Sequence, residues 1–174
     1  MIVRVTGIAV WFALCLMVSG APADVGAENT ARTFLIHITT LPNSEDPFRD
    51  IPLMVLAALE KGYAVSMLFD GPAVKVSRLG AWYGGDTTIL DRMPVPESAK
   101  QVMAEKVGLS AGSFPDNHGD LLRFLRGRGV NLYVSQEAMA QYSIMDEDAD
   151  NVFASVPPER MVSLFAGADV YVSY

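Results

Sequence analysis

Leu59-Glu60-Lys61-Gly62-Tyr63-Ala64-Val65-Ser66-Met67-Leu68-Phe69 joins the end of one element to the whole of the next. Lys61 and Gly62 stop a helix: the cation suits the negative end of the helix dipole, and glycine adopts the left-handed turn that closes many helices. Upstream, Asp50 stands where a cap is needed and Pro52 falls in the tolerated first turn. Leu53 to Leu59 is apolar almost all round, which predicts a deeply buried helix. Tyr63 to Phe69 then reads as a strand. An earlier, nearly continuous apolar run, Thr33 to Thr39, reads as another strand covered on both faces. Strand, helix and strand in this order predict a right-handed βαβ unit.

The pattern continues outward. Asp70-Gly71-Pro72 breaks the second strand, Ala73 to Leu79 reads as a short helix, and residues 80–86 form a Gly-rich loop carrying Trp82 and Tyr83. Those two aromatics could close over a pocket, form a subunit contact or simply pack. Pro96 and Glu97 open a helix to about Val107, with Ala99, Val102, Met103 and Val107 on one face. Asn117 or Asp116 caps the next, which turns Leu121, Leu122, Phe124 and Leu125 inward and carries Arg123, Arg126 and Arg128 toward its end. Gly129 to Ser135 makes a third strand, followed by a short helix, Gln136 to Tyr142, and an acidic loop, residues 146–150. A last helix is expected from Ser155, with Pro157 and Pro158 in its first turn and Met161, Val162, Leu164 and Phe165 presented, before a closing strand over residues 168–174. The fold class expected is α/β: three layers around a mostly parallel sheet of four or five strands, in a flavodoxin-like form.

The chain has 174 residues, 51% of them apolar, which is enough for one domain with a real core. A formal net charge of −7 argues against nucleic acid, whose phosphates are bound by Lys and Arg. Arg4, the apolar run Ile8 to Val18 and Ala21-Pro22-Ala23 read as a secretory signal over residues 1–23, with Val25-Gly26-Ala27 a second cleavage site. The alternative is a retained anchor, although the run is shorter than the about 20 residues a span needs. Residues 24–32 are then a flexible leader, residues 33–174 the folded domain, and the location periplasmic or secreted. The one cysteine, Cys15, lies inside the signal. The mature chain therefore has no thiol for persulfide chemistry, nucleophilic attack or zinc.

Residues 57–65 running into 69–74, Leu122 to Val130 before Val134-Ser135, and the closing Gly167-Ala168-Asp169-Val170 resemble the DsrE/DsrF-like family over roughly Phe34 to Tyr174. The resemblance implies a compact α/β protein that often forms homo-oligomers. It also implies, for several members, sulfur relay through a cysteine at the end of the strand that here ends in Ser135. A hydroxyl cannot carry a persulfide, so the resemblance carries over the fold and not that activity.

Four residues are candidate ligand-binding positions: Ser135 and Gln136 at the third strand's end, His37 in the first strand, and Asp70 after the second. Ser135 is equally the expected N-cap of the helix it precedes. No G-x-S-x-G elbow surrounds it. His37 reads equally as a packed, hydrogen-bonded core histidine, and His118, in a polar run, as an exposed one. The two histidines lack metal-ligand spacing, and no cofactor is expected. Asp146, Asp148 and Asp150 alternate as in a calcium loop, but Asn151 and Pro157 stand where Gly and Glu are required, leaving a solvated acidic loop. The functional expectations are an exported protein binding a small anionic ligand or a partner, a subunit of sulfur chemistry using a sulfur-handling partner's cysteine, or an oligomeric scaffold.

Overall fold

The computed structural model describes residues 31–41, 50–80 and 84–174. The expected signal, most of the leader, and Trp82 and Tyr83 lie outside them. Five strands, β1 (Thr33–Ile38), β2 (Ala64–Phe69), β3 (Asn131–Ser135), β4 (Ala154–Val156) and β5 (Val170–Ser173), form one sheet in the order β4-β3-β2-β1-β5, and every pairing is parallel. The helices are α1 (Ile51–Glu60), α2 (Glu97–Lys106), α3 (His118–Gly127), α4 (Gln136–Gln141) and α5 (Pro158–Ala166). The expected three-layer parallel α/β class is thus met. Within it the chain advances from β1 to β4 in one direction and reverses only at the last crossover, whereas flavodoxin, at 2-1-3-4-5, reverses direction after its first.

Strand alternation sorts the sheet into two faces. Ile36, Ile38, Val65, Met67, Phe69, Leu132 and Val134 point into the main core with residues of α1 to α4. Leu35, Leu68, Val156 and Tyr133 point the other way, against Met161 and Leu164 of α5. The late reversal explains this division. Crossovers advancing in one direction with one hand put their helices on one face, and the returning crossover puts α5 on the other.

The βαβ expectation holds at its joint: Gly62 has φ +77° and its amide donates to the Leu59 carbonyl at 2.9 Å. Other expectations need correction. Asp50 has helical dihedrals and its side chain makes no cap bond. The helix expected from Ser155 is instead strand β4 followed by α5, because a residue before proline is pushed out of the α region and Val156 precedes Pro157. On α2 the buried stripe is Ala99, Lys100, Met103 and Ala104, while Val102 is exposed. Lys100 buries its stem and reaches Asp116 Oδ1 at 2.5 Å and Glu97 at 3.8 Å with its ammonium. Asn117, not Asp116, caps α3 by accepting from the Asp120 amide at 2.8 Å. His118 is buried, not exposed.

Arg123 is not a cation at a helix end. It lies mid-helix and ties three segments together: its guanidinium meets Asp91 at 2.5 Å, Asp120 at 3.2 Å and Asp150 at 2.6 Å. Asp150 is buried, so this member of the acidic loop is not solvated. Burial raises the Asp91 pKa, but the hydrogen bonds from Arg123 and Thr88 outweigh that and leave it lowered. Among the described residues no helix is long and apolar enough to cross a membrane.

Two outcomes test this packing. Gly119 of α3 abuts Asp91: an added Cβ would overlap Asp91 Oδ1 and sit 2.8 Å from its Cγ. Gly119→Ala should therefore lower stability by about 1–3 kcal/mol in urea unfolding, despite alanine's better helix propensity. Burial lowers the His118 pKa below the ordinary 6.5. The unfolded chain then binds more protons than the folded one as pH falls below that value, so stability declines on acidification. His118→Gln should flatten that part of the stability–pH curve.

Candidate functional site

The carboxyl ends of β1, β2 and β3 carry three of the four expected residues on the face covered by α5. His37 pairs in register with Leu68 of β2, and Asp70 follows Phe69, so both fall on the face of Leu35 and Leu68. They meet: His37 Nε2 lies 3.4 Å from Asp70 Oδ2. Asp70 Oδ1 accepts the Gly71 amide at 2.8 Å, capping the 3-10 turn Gly71–Ser77 and fixing the carboxylate. Two residues 33 positions apart are thereby joined.

Two further residues complete the cluster. His37 Nδ1 lies 3.0 Å from the Tyr171 hydroxyl. Phe165 of α5 packs edge-on against both rings, with centroids 5.2 Å from His37 and 5.8 Å from Tyr171. The His37 and Asp70 side chains are 14% and 29% exposed, whereas Tyr171 is 50% exposed, so the phenol is the member that solvent and ligands reach. The sequence marked Phe165 only as an apolar residue of the last helix and did not single out Tyr171. The alternation of residues 168–174 placed Val170 and Val172 on one face, and Tyr171 falls on the other. Parallel pairing of β5 with β1 sets Tyr171 beside Leu35 and so next to His37.

Ser135 stands one strand beyond Asp70 and is 2% exposed. Its hydroxyl oxygen accepts the Ala138 amide at 3.3 Å, the capping role expected of it. α4 has only six residues. Gln136 is exposed and opens into a different place, a cleft of about 500 Å³ that also meets Asp146, Asp150, Asn151, Phe153 and Ser155. His37 and Asp70 thus belong together, Ser135 is a neighbour occupied by its cap, and Gln136 is apart. Among the described residues no group of three or more His, Cys, Asp or Glu side chains is placed to hold a metal.

No family model and no curated protein matches the chain. Among solved structures it resembles the YchN protein of E. coli, at 10% identity and a TM-score of 0.54, covering 83% of this chain and all of that one. The fold is DsrE/DsrF-like. A second solved neighbour is MTH1491 of Methanobacterium thermoautotrophicum, a protein of unknown function, at 12% identity and a TM-score of 0.44, covering 82% of this chain and 99% of that one. At 10% identity the likeness to YchN reaches the backbone fold and stops there. The site must be argued from this chain's own residues.

The capping role yields a measurable outcome. Ser135→Ala should cost about 0.5–2 kcal/mol of stability by urea unfolding, the usual cost of a lost N-cap. The ring resonances of His37 should stay in place, because its partners are Asp70 and Tyr171.

Proposed function

We propose that this is an exported binding protein of DsrE-like fold, with no catalytic cysteine in its mature chain, which takes a small polar ligand at the carboxyl edge of β1 and β2. The observation that carries the reading is the convergence of His37, Asp70 and the hydroxyl of the half-exposed Tyr171 at that edge. The place is also chemically apt. In parallel α/β sheets, ligands collect beyond the carboxyl ends of the strands. Aromatic rings of Phe165 and Tyr171 supply apolar contact, while the imidazole, carboxylate and phenol supply directional hydrogen bonds. Ser135, standing where the resembling sulfur-relay proteins carry cysteine, favours binding over sulfur transfer by this chain itself. Self-association through the sparsely covered α5 side belongs to the same reading: Val162 and Phe165 of α5 are 65% and 36% exposed.

The test uses protein recovered from the exported fraction of its host. Its first residue should be Asp24 or Glu28, and an N-terminus at Met1 would overturn export. Its native mass should be a multiple of the chain's, and a strict monomer would remove self-association. A library of small polar fragments, screened by amide nitrogen–proton correlation spectra, should shift residues 36–39, 69–72 and 170–173, and His37→Ala should abolish those shifts. Hits confined to other surfaces would defeat the binding reading.

A further inference from the structure

The hydrogen bonds around His37 have a definite polarity. A carboxylate only accepts, so in the neutral imidazole Asp70 selects the tautomer with the proton on His37 Nε2, which leaves Nδ1 as an acceptor. In that tautomer the Tyr171 hydroxyl, 3.0 Å from Nδ1, is the donor. The Tyr171 oxygen keeps its lone pairs for other partners, and the residue is half exposed. At 3.4 Å the carboxylate contact is long, but Asp70 is itself anchored by the Gly71 amide, and catalytic hydrogen bonds are commonly loose before a substrate arrives. Phe165 wedged against both rings holds them in this relation.

A hydroxyl donating to an imidazole whose other nitrogen is fixed by a carboxylate is the arrangement that turns a weak nucleophile into a useful one. We infer that Asp70, His37 and Tyr171 form a base-assisted phenol, with Tyr171 the nucleophile toward activated acyl groups such as aryl esters. This rests on the same edge as the binding reading but adds a reactivity to it. In the step, the Tyr171 oxygen attacks the ester carbonyl carbon while its proton passes to His37 Nδ1. The bond to the aryloxide breaks, the aryloxide leaves with its electron pair, and the imidazolium returns its proton to that aryloxide or to water. A tyrosyl ester remains, which water hydrolyses to the acid and free Tyr171. His37 and Asp70 are positioning and proton-accepting groups, and only Tyr171 touches the acyl carbon.

p-Nitrophenyl acetate is the probe, with adducts located by peptide mass mapping and aryl esters told from lysine amides by their cleavage with hydroxylamine. Tyr171 should be acetylated about tenfold or more faster than Tyr63 or Tyr133, the lower end of what a general base contributes reflecting its exposure to water. Tyr171→Phe should lose that adduct. Asp70→Asn is the decisive variant. Its amide carbonyl still caps Gly71, so the fold stands, but its NH₂ donates to Nε2 and forces the proton onto Nδ1. The imidazole then donates to the phenol instead of taking its proton, and Tyr171 should fall to the rate of the other tyrosines. Imidazole nitrogen shifts of His37 should report the change from the Nε2–H to the Nδ1–H tautomer, which loss of packing alone would not produce. Equal acetylation of Tyr171 and the other tyrosines in the wild type, or an unchanged rate in Asp70→Asn with the tautomer inverted, would overturn the inference. Neither result depends on whether fragments bind, so the binding reading and the reactivity can fail separately.

Discussion

A parallel sheet must be covered on both faces, and here the second face has α5 as its one packed helix among the described residues. Four crossovers connect five parallel strands, and the first three advance in one direction. The return stroke from β4 to β5 alone supplies the other layer. One helix of nine residues cannot roof five strands. It seals Leu35, Leu68 and Val156 and leaves Ala64, Asn131 and Ala154 exposed at the amino ends. It sets out from the carboxyl end of β4, and beside β1 the ring of Phe165 rests against His37. An open, partly aromatic edge is the consequence of this topology.

That edge is held steady from the opposite layer. Arg123 binds Asp91 in one connection and Asp150 in another, fastening both to α3. The segment around Asp150 is further tied to the 3-10 turn after β2: the Asp150 amide donates to the Ser77 carbonyl at 2.8 Å, and the Leu79 amide to the Asp148 carbonyl at 2.8 Å. Since that turn begins at Asp70, the carboxylate facing His37 starts a segment pinned at its far end. A fixed carboxylate is worth more to an imidazole than a mobile one, because the tautomer it selects persists. Arg123 is 39% exposed, so its network contributes less than a fully buried one would. Its main effect is to join segments distant in sequence.

How much of this was legible follows from the range of each signal. The βαβ joint at Lys61-Gly62 was readable because glycine and the apolar run act locally. β4 was not, since three residues carry no period and the two prolines after them suggested a helix starting early. The Lys100 stripe was missed because composition alone favoured Val102, whereas a neighbouring aspartate makes burial of the lysine stem acceptable. His37, Asp70 and Ser135 could each be singled out by type and by nearness to a strand end. Their grouping could not, because it is set by the parallel register and by the β5–β1 pairing across more than 130 positions. Tyr171 was hidden for that reason.

The end of the third strand and the edge at β1 and β5 offer a hydroxyl opposite surroundings. Serine fits at the end of β3 because a strand passing directly into a helix needs an acceptor for an unpaired amide, and its oxygen supplies one to Ala138. That commitment, together with near-complete burial, makes Ser135 a poor nucleophile: its lone pair is engaged and no described base adjoins it. Two and three strands away, at β1 and β5, the same face offers the opposite conditions. Tyr171 is half exposed, its hydroxyl lies 3.0 Å from an imidazole nitrogen, and the carboxylate on the other side of that imidazole has a second anchor of its own. Reactivity at this edge is therefore to be sought at β1 and β5 rather than at β3.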